Sequence, residues 1–461
     1  MPNHKTTVIV TLSALSLSAL ALSGCSLAPV YKVPVTPAAA ISYNEIGPWT
    51  PAVPADTTEP RAWWQVFNDE GLNGLEGRLD AGNLQLASGV ARFNQALALS
   101  HQAQASLLPT LNAIGSASQT FDPRNGKLNN YTLGLSAGYG LDFWGANQNS
   151  AKAAQASAQA SADDLADLRL TLQAKLAETY IQLRGADAEI ALLQQSVDAY
   201  QKALDLTNSR FKGGASSEID VGRARTQLGA TQAQWEQARA GRALLEHAIA
   251  VLIGVQPTGF RINTVSGVDE VPHIPMDQPS TLLQRRPDIA AAERRVNAAN
   301  AAIGMARAAF FPNVILGAVE GREDYVGKQG RYWALGPVSL NLPLFNGGAL
   351  SAGLSVAKAE FDQASSAYRL SVLSAFQQVE DQLALSNRLA VAADREDEAL
   401  RAAVRTNQLA MVEYKDGAAS YLDVVTAQTA ELDARRAALN IHTSRLLASI
   451  DLIRALGGGW K

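Results

Sequence analysis

Two windows of the chain carry apolar positions at helical spacing for far longer than a compact domain needs. Leu165, Leu168, Leu172, Leu176, Tyr180, Leu183, Ala186, Ile190, Leu193, Val197, Tyr200 and Leu204 recur about every 3.5 residues, the seam period of a coiled coil. Proline is absent between Pro123 and Pro257 and again after Pro343. Between Gly145 and Gly213 only Gly185 interrupts, and no glycine occurs between Gly353 and Gly417. Both windows are rich in Ala, Gln, Leu, Glu and Arg, which favour helix. A continuous helix of about 65 residues would extend about 100 Å, whereas helices of globular domains average about a dozen residues. Two such rods predict a coiled-coil or tubular assembly rather than a compact enzyme.

A second pattern has period two. Tyr131, Leu133, Leu135, Ala137, Tyr139, Leu141 and Phe143 alternate with Thr132, Gly134, Ser136, Gly138, Gly140 and Asp142. One apolar face against one small or polar face is the signature of a membrane β-barrel strand. The turn-rich Asp122-Pro123-Arg124-Asn125-Gly126 makes this the return strand of a hairpin over about 110–143. A second hairpin, over about 313–342, starts with Val314, Leu316 and Ala318. In its return strand the apolar set moves from Trp333 and Leu335 to Val338, Leu340 and Leu342 across Gly336-Pro337, which predicts a bulge. Phe143, Trp144, Phe310, Phe311 and Phe345 bracket one end, and Tyr131, Tyr325, Tyr332 and Trp333 the other, as in interfacial girdles. A β-sandwich face with aromatic edges is the alternative, although two isolated hairpins need further strands to be stable. A membrane barrel has at least about eight strands, and an open edge in lipid leaves backbone groups unpaired. Four strands per chain therefore demand an oligomer. Two chains would supply eight strands and three would supply twelve.

The two halves repeat. A shift of 203 (295 − 92) superposes Arg92 on Arg295, Asn94 on Asn297, Ala105 on Ala308 and Pro109 on Pro312. The same shift carries Lys212 to Lys415, Gly214 to Gly417, Ala215 to Ala418, Asp220 to Asp423 and Val221 to Val424. A tandem duplication follows. The predicted organisation is a signal peptide over 1–24, a strap over 25–62, a first repeat over 63–260 and a second over 261–461.

His4 and Lys5, the apolar stretch Val8–Leu22 and the small residues before Cys25 form a secretory signal peptide. About 15 apolar residues are too few to span a bilayer comfortably. Leu22-Ser23-Gly24-Cys25 is similar to a bacterial lipobox, and that resemblance implies cleavage before Cys25 with diacylglycerol on its sulfur. Each acyl methylene contributes about 0.8 kcal/mol, so several chains on one residue anchor stably. Ser26, not Asp, follows the cysteine, which in this lipoprotein class implies sorting to the outer membrane. Seven prolines (29, 34, 37, 48, 51, 54 and 60) make the next segment an extended tether rather than a helix.

Composition narrows the chemistry. The 461 residues include 39 basic and 43 acidic side chains, a net charge of −4, which argues against nucleic acid or polybasic lipid binding. The single cysteine excludes a disulfide framework or a Cys-rich metal site, and five histidines at 4, 101, 247, 273 and 442 are scattered. No phosphate loop, paired-His zinc motif or nucleophile elbow is present, so neither an enzyme nor a cofactor site is predicted. Four methionines mark no soft-metal export path.

The lipobox, the duplicated hairpin-plus-long-helix plan, the two helix tips and the terminal Ala455-Leu456-Gly457-Gly458-Gly459-Trp460 resemble the TolC-like outer-membrane factors of tripartite efflux. Within that family the likeness is to the lipoprotein (NodT-type) branch. The resemblance implies an α+β membrane protein: a homotrimer with a 12-stranded outer-membrane β-barrel, four strands from each chain, and a long α-helical barrel in the periplasm. It also implies a periplasmic adaptor (membrane fusion protein), an inner-membrane pump, commonly of the RND class, and outer-membrane lipid as partners. The chain would be a passive conduit exporting small molecules. A type I protein-secretion outlet and a non-pore coiled-coil lipoprotein scaffold are the alternatives.

The tips fall at 210–217 and 413–420, where Gly ends one helix and Ser caps the next. In the family the adaptor docks here, which implicates Lys212, Gly213, Gly214, Ala215 and Ser216 with Lys415, Asp416, Gly417, Ala418 and Ser420. The resemblance also implies a periplasmic gate, with Tyr414 hydrogen-bonded to Asp220 and Asp423 narrowing the entrance. Three symmetry-related carboxylates at short range would disfavour full ionisation. As helix-opening acids, Asp220 and Asp423 also suit the helix dipole without any gate. The chain departs from the family at Thr426, where many members place a second Asp, and at Ala419, where some carry Arg.

Overall fold

The computed structural model describes residues 26–36, 43–44, 62–124, 126–264, 270–272, 274, 285–325 and 328–458. The signal peptide, Cys25, most of the Pro-rich segment and Trp460 lie outside the described residues. A short 3-10 turn over Trp63–Phe67 leads to α1 (Glu70–Gly82) and α2 (Leu84–Ala105), then strands β1 (Thr110–Asp122) and β2 (Gly126–Leu141). Helices α3 (Ala146–Lys212), α4 (Glu218–Leu252) and α5 (Pro287–Ala308) follow. The second half repeats the plan with β3 (Asn313–Tyr325), β4 (Lys328–Asn341), α6 (Ala349–Asp416) and α7 (Tyr421–Ala455). The starts of α3 and α6 (349 − 146) and of α4 and α7 (421 − 218) are both offset by 203 residues, the shift read from the sequence. The Pro-free windows become helices of 67 and 68 residues. No helix among the described residues is long and apolar enough to cross a membrane.

The chain divides into two compact units. Of the described residues, one holds those within 26–36, 91–164 and 288–371, the other those within 43–90, 165–287 and 372–458.

The first unit contains one four-stranded antiparallel sheet in the order β1-β2-β3-β4. Its register sorts side chains by parity. One face carries rows such as Leu111, Ala137, Ala318 and Leu335, joined strand to strand, with Leu133, Leu135, Tyr139, Val338 and Leu340 above and below. The exposed members include Leu335, which is 87% accessible. The opposite face carries Ser116, Thr132, Gly134, Ser136 and Gly138. Gly134 pairs with Gly321, and a Cβ on Gly134 would lie 2.5 Å from the Glu320 carbonyl oxygen, so only glycine permits that close approach. The predicted bulge is present: Leu316 pairs with Val338 and Ala318 with Leu335, leaving Gly336 and Pro337 opposite Gly317 alone. Gly336 has φ 127°, a conformation that favours glycine. At the end of the sheet nearer the helices, Trp144 stacks on Phe311 at 4.4 Å and its Nε1 donates to the Pro312 carbonyl at 3.0 Å.

An N-terminal strap over 26–36 packs on this unit in extended form. The Ser26 hydroxyl donates to Asn149 Oδ1 (2.9 Å) near the start of α3. Along α5, Arg307 Nη1 donates to the Leu27 carbonyl (3.0 Å) and Asn300 Nδ2 to the Pro29 carbonyl (2.9 Å). Gly304 lets the strap pass, since a Cβ there would meet Asn149 at 2.5 Å and Ala28 at 2.8 Å.

The second unit is built around the seam residues. Leu172, Leu176, Tyr180, Leu183, Leu193, Tyr200 and Leu204 of α3 are all buried. The Tyr180 hydroxyl donates to Asp69, which also caps α1. Arg242 of α4 donates from Nε to Asp187 of α3 at 2.5 Å. On α1, Leu72, Leu75 and Leu79 share their buried stripe with Glu76, which is fully buried. Neither Glu76 carboxyl oxygen has a hydrogen-bond partner among the described residues. Burial first, and Asp80 second, push its pKa up to about 9.

Candidate functional site at the helix tips

The helix ends at the two tips follow from local sequence. Gly214 (φ 74°) and Gly417 (φ 83°) take the left-handed conformation. The amides of Ala215 and Ala418 then return to the carbonyls of Arg210 and Glu413, both at 2.8 Å, closing a Schellman end on each helix. The following helices begin with capping boxes. The Asp220 carboxylate accepts from the Ser217 hydroxyl (2.8 Å) and amide (3.2 Å), and the Asp423 carboxylate from the Ser420 hydroxyl (2.7 Å) and amide (2.9 Å). The first cap is thus Ser217, not the neighbouring Ser216, whose hydroxyl adds a further bond to Asp220 at 3.1 Å. The repeat carries this signal, because the shift of 203 puts Ser217 on Ser420.

These contacts set the charge state of both acids. The Ser420 hydroxyl, then its amide, lower the Asp423 pKa from the ordinary carboxylate value. At Asp220 burial acts in the opposite direction, but the Ser217 hydroxyl and amide, the Ser216 hydroxyl and Arg223 outweigh it and the pKa is lowered.

Tyr414 is buried and does not reach Asp220. Its hydroxyl donates to Thr207 Oγ1 at 3.3 Å, so within the chain the Tyr414–Asp220 hydrogen bond implied by the resemblance is not formed. Asp220 Oδ2 is taken up by its own capping box and Ser216, while Oδ1 meets only Arg223 at 3.5 Å. Tyr414 instead packs edge-on against Tyr421, with centroids 5.4 Å apart. Burial, followed by the proximity of Tyr414, Tyr200 and Asp220, pushes the Tyr421 phenol up to about 12. Below the tips, Leu193, Tyr200, Leu204, Val221, Leu228, Tyr414, Tyr421, Val424 and Leu432 form one apolar cluster joining α3, α4, α6 and α7. Tyr200 donates to the Gln428 carbonyl at 3.0 Å across it.

Arg210 ties the first tip to the second. Its Nη1 donates to the carbonyls of Tyr414 (2.8 Å) and Lys415 (3.2 Å), the last turn of α6, and its guanidinium sits 4.7 Å from the Tyr414 ring centroid. A cation at a helix C-terminus also meets the negative end of the helix dipole. Arg210 is not among the residues that the resemblance implicates. Its signal is a mismatch in the repeat, where Arg210 superposes on Glu413.

Lys212, Gly213, Gly214, Ala215, Lys415, Asp416, Gly417, Ala418 and Ser420 are exposed and Ser216 is half-buried. Phe211, Ile219, Val412 and Leu422 add exposed apolar area around them. Asp423 is also exposed. Donors, cations and apolar side chains on a rigid base suit the binding of another chain rather than bond-making chemistry.

Comparison with known proteins bears on the family and the fold. The model of the family described as outer membrane efflux protein matches residues 77–255 and 278–458. The toluene efflux pump outer membrane protein TtgC of Pseudomonas putida is 31% identical over 456 residues, covering 94% of this chain and 93% of that protein. The pyoverdine export outer membrane protein OpmQ of Pseudomonas aeruginosa is 31% identical over 431 residues, covering 88% and 89%. A solved structure of the outer-membrane channel OprN superposes with a TM-score of 0.87 at 28% identity, covering 95% of this chain and 100% of that one.

Proposed function

The chain belongs to the outer membrane efflux protein family, and we propose that it works as the outer-membrane channel of a tripartite efflux system, a passive trimeric conduit for small molecules. The observation that carries this is the sheet. Its long apolar face is exposed, and within the chain β1 and β4 are edge strands. In hydrocarbon each unpaired edge group costs several kcal/mol, so neighbouring copies complete the cylinder. Three sheets of four strands make the 12-stranded barrel. Leu111, Leu135 and Leu335 then face lipid, and Thr132, Ser136 and Gly138 face the lumen.

Nothing in this arrangement supplies energy, so transport is driven by the inner-membrane partner, in this reading a pump of the RND class. The two tips are the docking surface for its periplasmic adaptor. Their exposed glycine backbone, Lys212, Lys415 and the apolar Phe211, Ile219, Val412 and Leu422 support that role. Asp423 is the gate carboxylate: its bonds from Ser420 favour the ionised form, opposing the mutual repulsion of three copies about the axis, and the ring would attract cations. Tyr414 and Asp220 brace the gate from separate positions, Tyr414 in the cluster and Asp220 in its cap. Acylation of Cys25 anchors the chain in the outer membrane. The neighbouring Ser26 is tied to Asn149, shortly after β2 ends, which supports delivery of the acyl chains beside the foot of the barrel. Relatives named for toluene and for pyoverdine match at the same identity, as suits a conduit that leaves cargo choice to the pump.

Reconstitution in planar bilayers tests the proposal. The purified mature chain should run as a trimer and give discrete single-channel steps. A trimer that never conducts would mean a scaffold, and a detergent-free monomer would remove the conduit altogether.

A further inference from the structure

The apolar face of the sheet does not stay apolar to its end. Towards the hairpin turns, three successive rows cross the four strands: Ala113, Leu135, Glu320 and Trp333; then Gly115, Leu133, Arg322 and Arg331; then Ala117, Tyr131, Asp324 and Gln329. The β1 and β2 members remain small or apolar, while all three β3 members and Arg331 of β4 are charged. A surface groove of about 670 Å³ lies here, lined from this face by Gly115, Ala117, Tyr131, Leu133, Arg322 and Asp324, and also by Ser116, Thr132 and Glu323, which alternate with them.

The two arginines are direct cross-strand neighbours, an arrangement that is unfavourable without an anion between them. Arg331 is paired with Glu320. Arg322 is exposed and has no ion pair or hydrogen bond among the described residues. The depth is informative. Arg322 lies eight residues beyond Val314 (322 − 314), about 20 Å along the normal for strands tilted by about 40°. An outer-membrane apolar band is about 25 Å tall, so with Val314 at its inner edge the arginine row lies about 5 Å inside the outer edge, close enough for long guanidinium side chains to reach headgroups, and is flanked by Trp333 and Tyr131.

We propose that this groove holds a phosphorylated glycolipid of the outer leaflet. An acyl chain runs inward from the arginine row over the small floor of Gly115 and Ala113, beside Leu133 and Leu135. The lipid phosphate takes the bidentate guanidinium of Arg322 and shares the neighbouring Arg331. Asp324, one row nearer the rim, repels phosphate and accepts from sugar hydroxyls, which Gln329 can also meet. That order, apolar then cationic then hydroxyl-binding, matches a phosphorylated sugar headgroup better than a simple diacyl phosphate. The proposal rests on the barrel reading above, which decides that this face meets lipid.

Native mass spectrometry of the full-length trimer, titrated with bis-phosphorylated lipid A, tests it. Up to three lipids should bind per trimer, and Arg322→Ala should weaken binding by about tenfold or more. Arg322→Lys, which keeps the charge without the fork, should lie between. Equal binding of dephosphorylated lipid A, or full competition by phosphatidylglycerol or inorganic phosphate, would overturn the assignment, as would unchanged binding by Arg322→Ala. The intact trimer mass in the same spectra separates the two claims. A trimer without lipid defeats only the groove, while loss of the trimer defeats the barrel reading.

Discussion

Glu76→Gln isolates the cost of keeping a carboxyl in the core of the second unit. In the unfolded chain this group titrates near 4.5, whereas burial raises it to about 9 in the fold. Between those values the folded chain keeps a proton that the unfolded chain has released. Stability therefore falls as pH rises through this window, by about 1.4 kcal/mol per pH unit. From 4.5 to 7 the loss reaches about 3 kcal/mol. Glutamine has nearly the same shape and is neutral in both states, so the variant lacks this slope. Its amide leaves a constant offset, since the site offers no hydrogen-bond partner among the described residues. Denaturant unfolding of the mature protein in detergent, followed by far-UV circular dichroism at pH 4.5, 6, 7 and 8, reads the difference. The gap between variant and wild type should move by about 3 kcal/mol in favour of Gln from pH 4.5 to pH 7 and widen further at pH 8. A gap that stays constant across this range would show that Glu76 ionises normally, and the reasoning would fail.

Arg210→Ala removes two charged hydrogen bonds and a stacked guanidinium from the end of α6, about 2 kcal/mol of local stability. Amide exchange over residues 410–418 should quicken while the sheet is unchanged, and identical exchange would deny the clasp. Asp423→Ala should raise single-channel conductance if this carboxylate restricts the entrance. Because Ser420 lowers its pKa below the ordinary 3.8, the two proteins should converge only in more acidic solution. Equal conductance at neutral pH would take Asp423 out of the gate. Cys25→Ser should abolish palmitate labelling, and persistent label would exclude the lipobox.

Much of the architecture was legible because it rests on local rules. Missing prolines permit the long helices, alternation marks β2, and Gly336-Pro337 announces the bulge at the position where the register slips. The repeat made each reading available twice. Other features depend on neighbours that no local window contains. Arg210 finds the carbonyls of Tyr414 and Lys415 only after two hairpins pack together. Tyr414 turns its hydroxyl to Thr207 rather than Asp220, a partner that only the packing of α3 against α6 supplies. Two further features are written in local sequence. Glu76 lies between Leu75 and Leu79 on an apolar stripe. Glu320, Arg322 and Asp324 continue the parity of Val314, Leu316 and Ala318 on the same face of β3.

The central claim is that alternate residues of these strands face hydrocarbon and a water-filled lumen. It is tested most directly by spin labels at Leu135→Cys and Ser136→Cys, each in the acylated protein, where Cys25 offers no competing thiol. In liposomes the label at 135 should relax with oxygen and ignore a water-soluble nickel chelate, and the label at 136 should do the reverse. Equal access of the chelate to both positions would contradict the barrel and the conduit built on it.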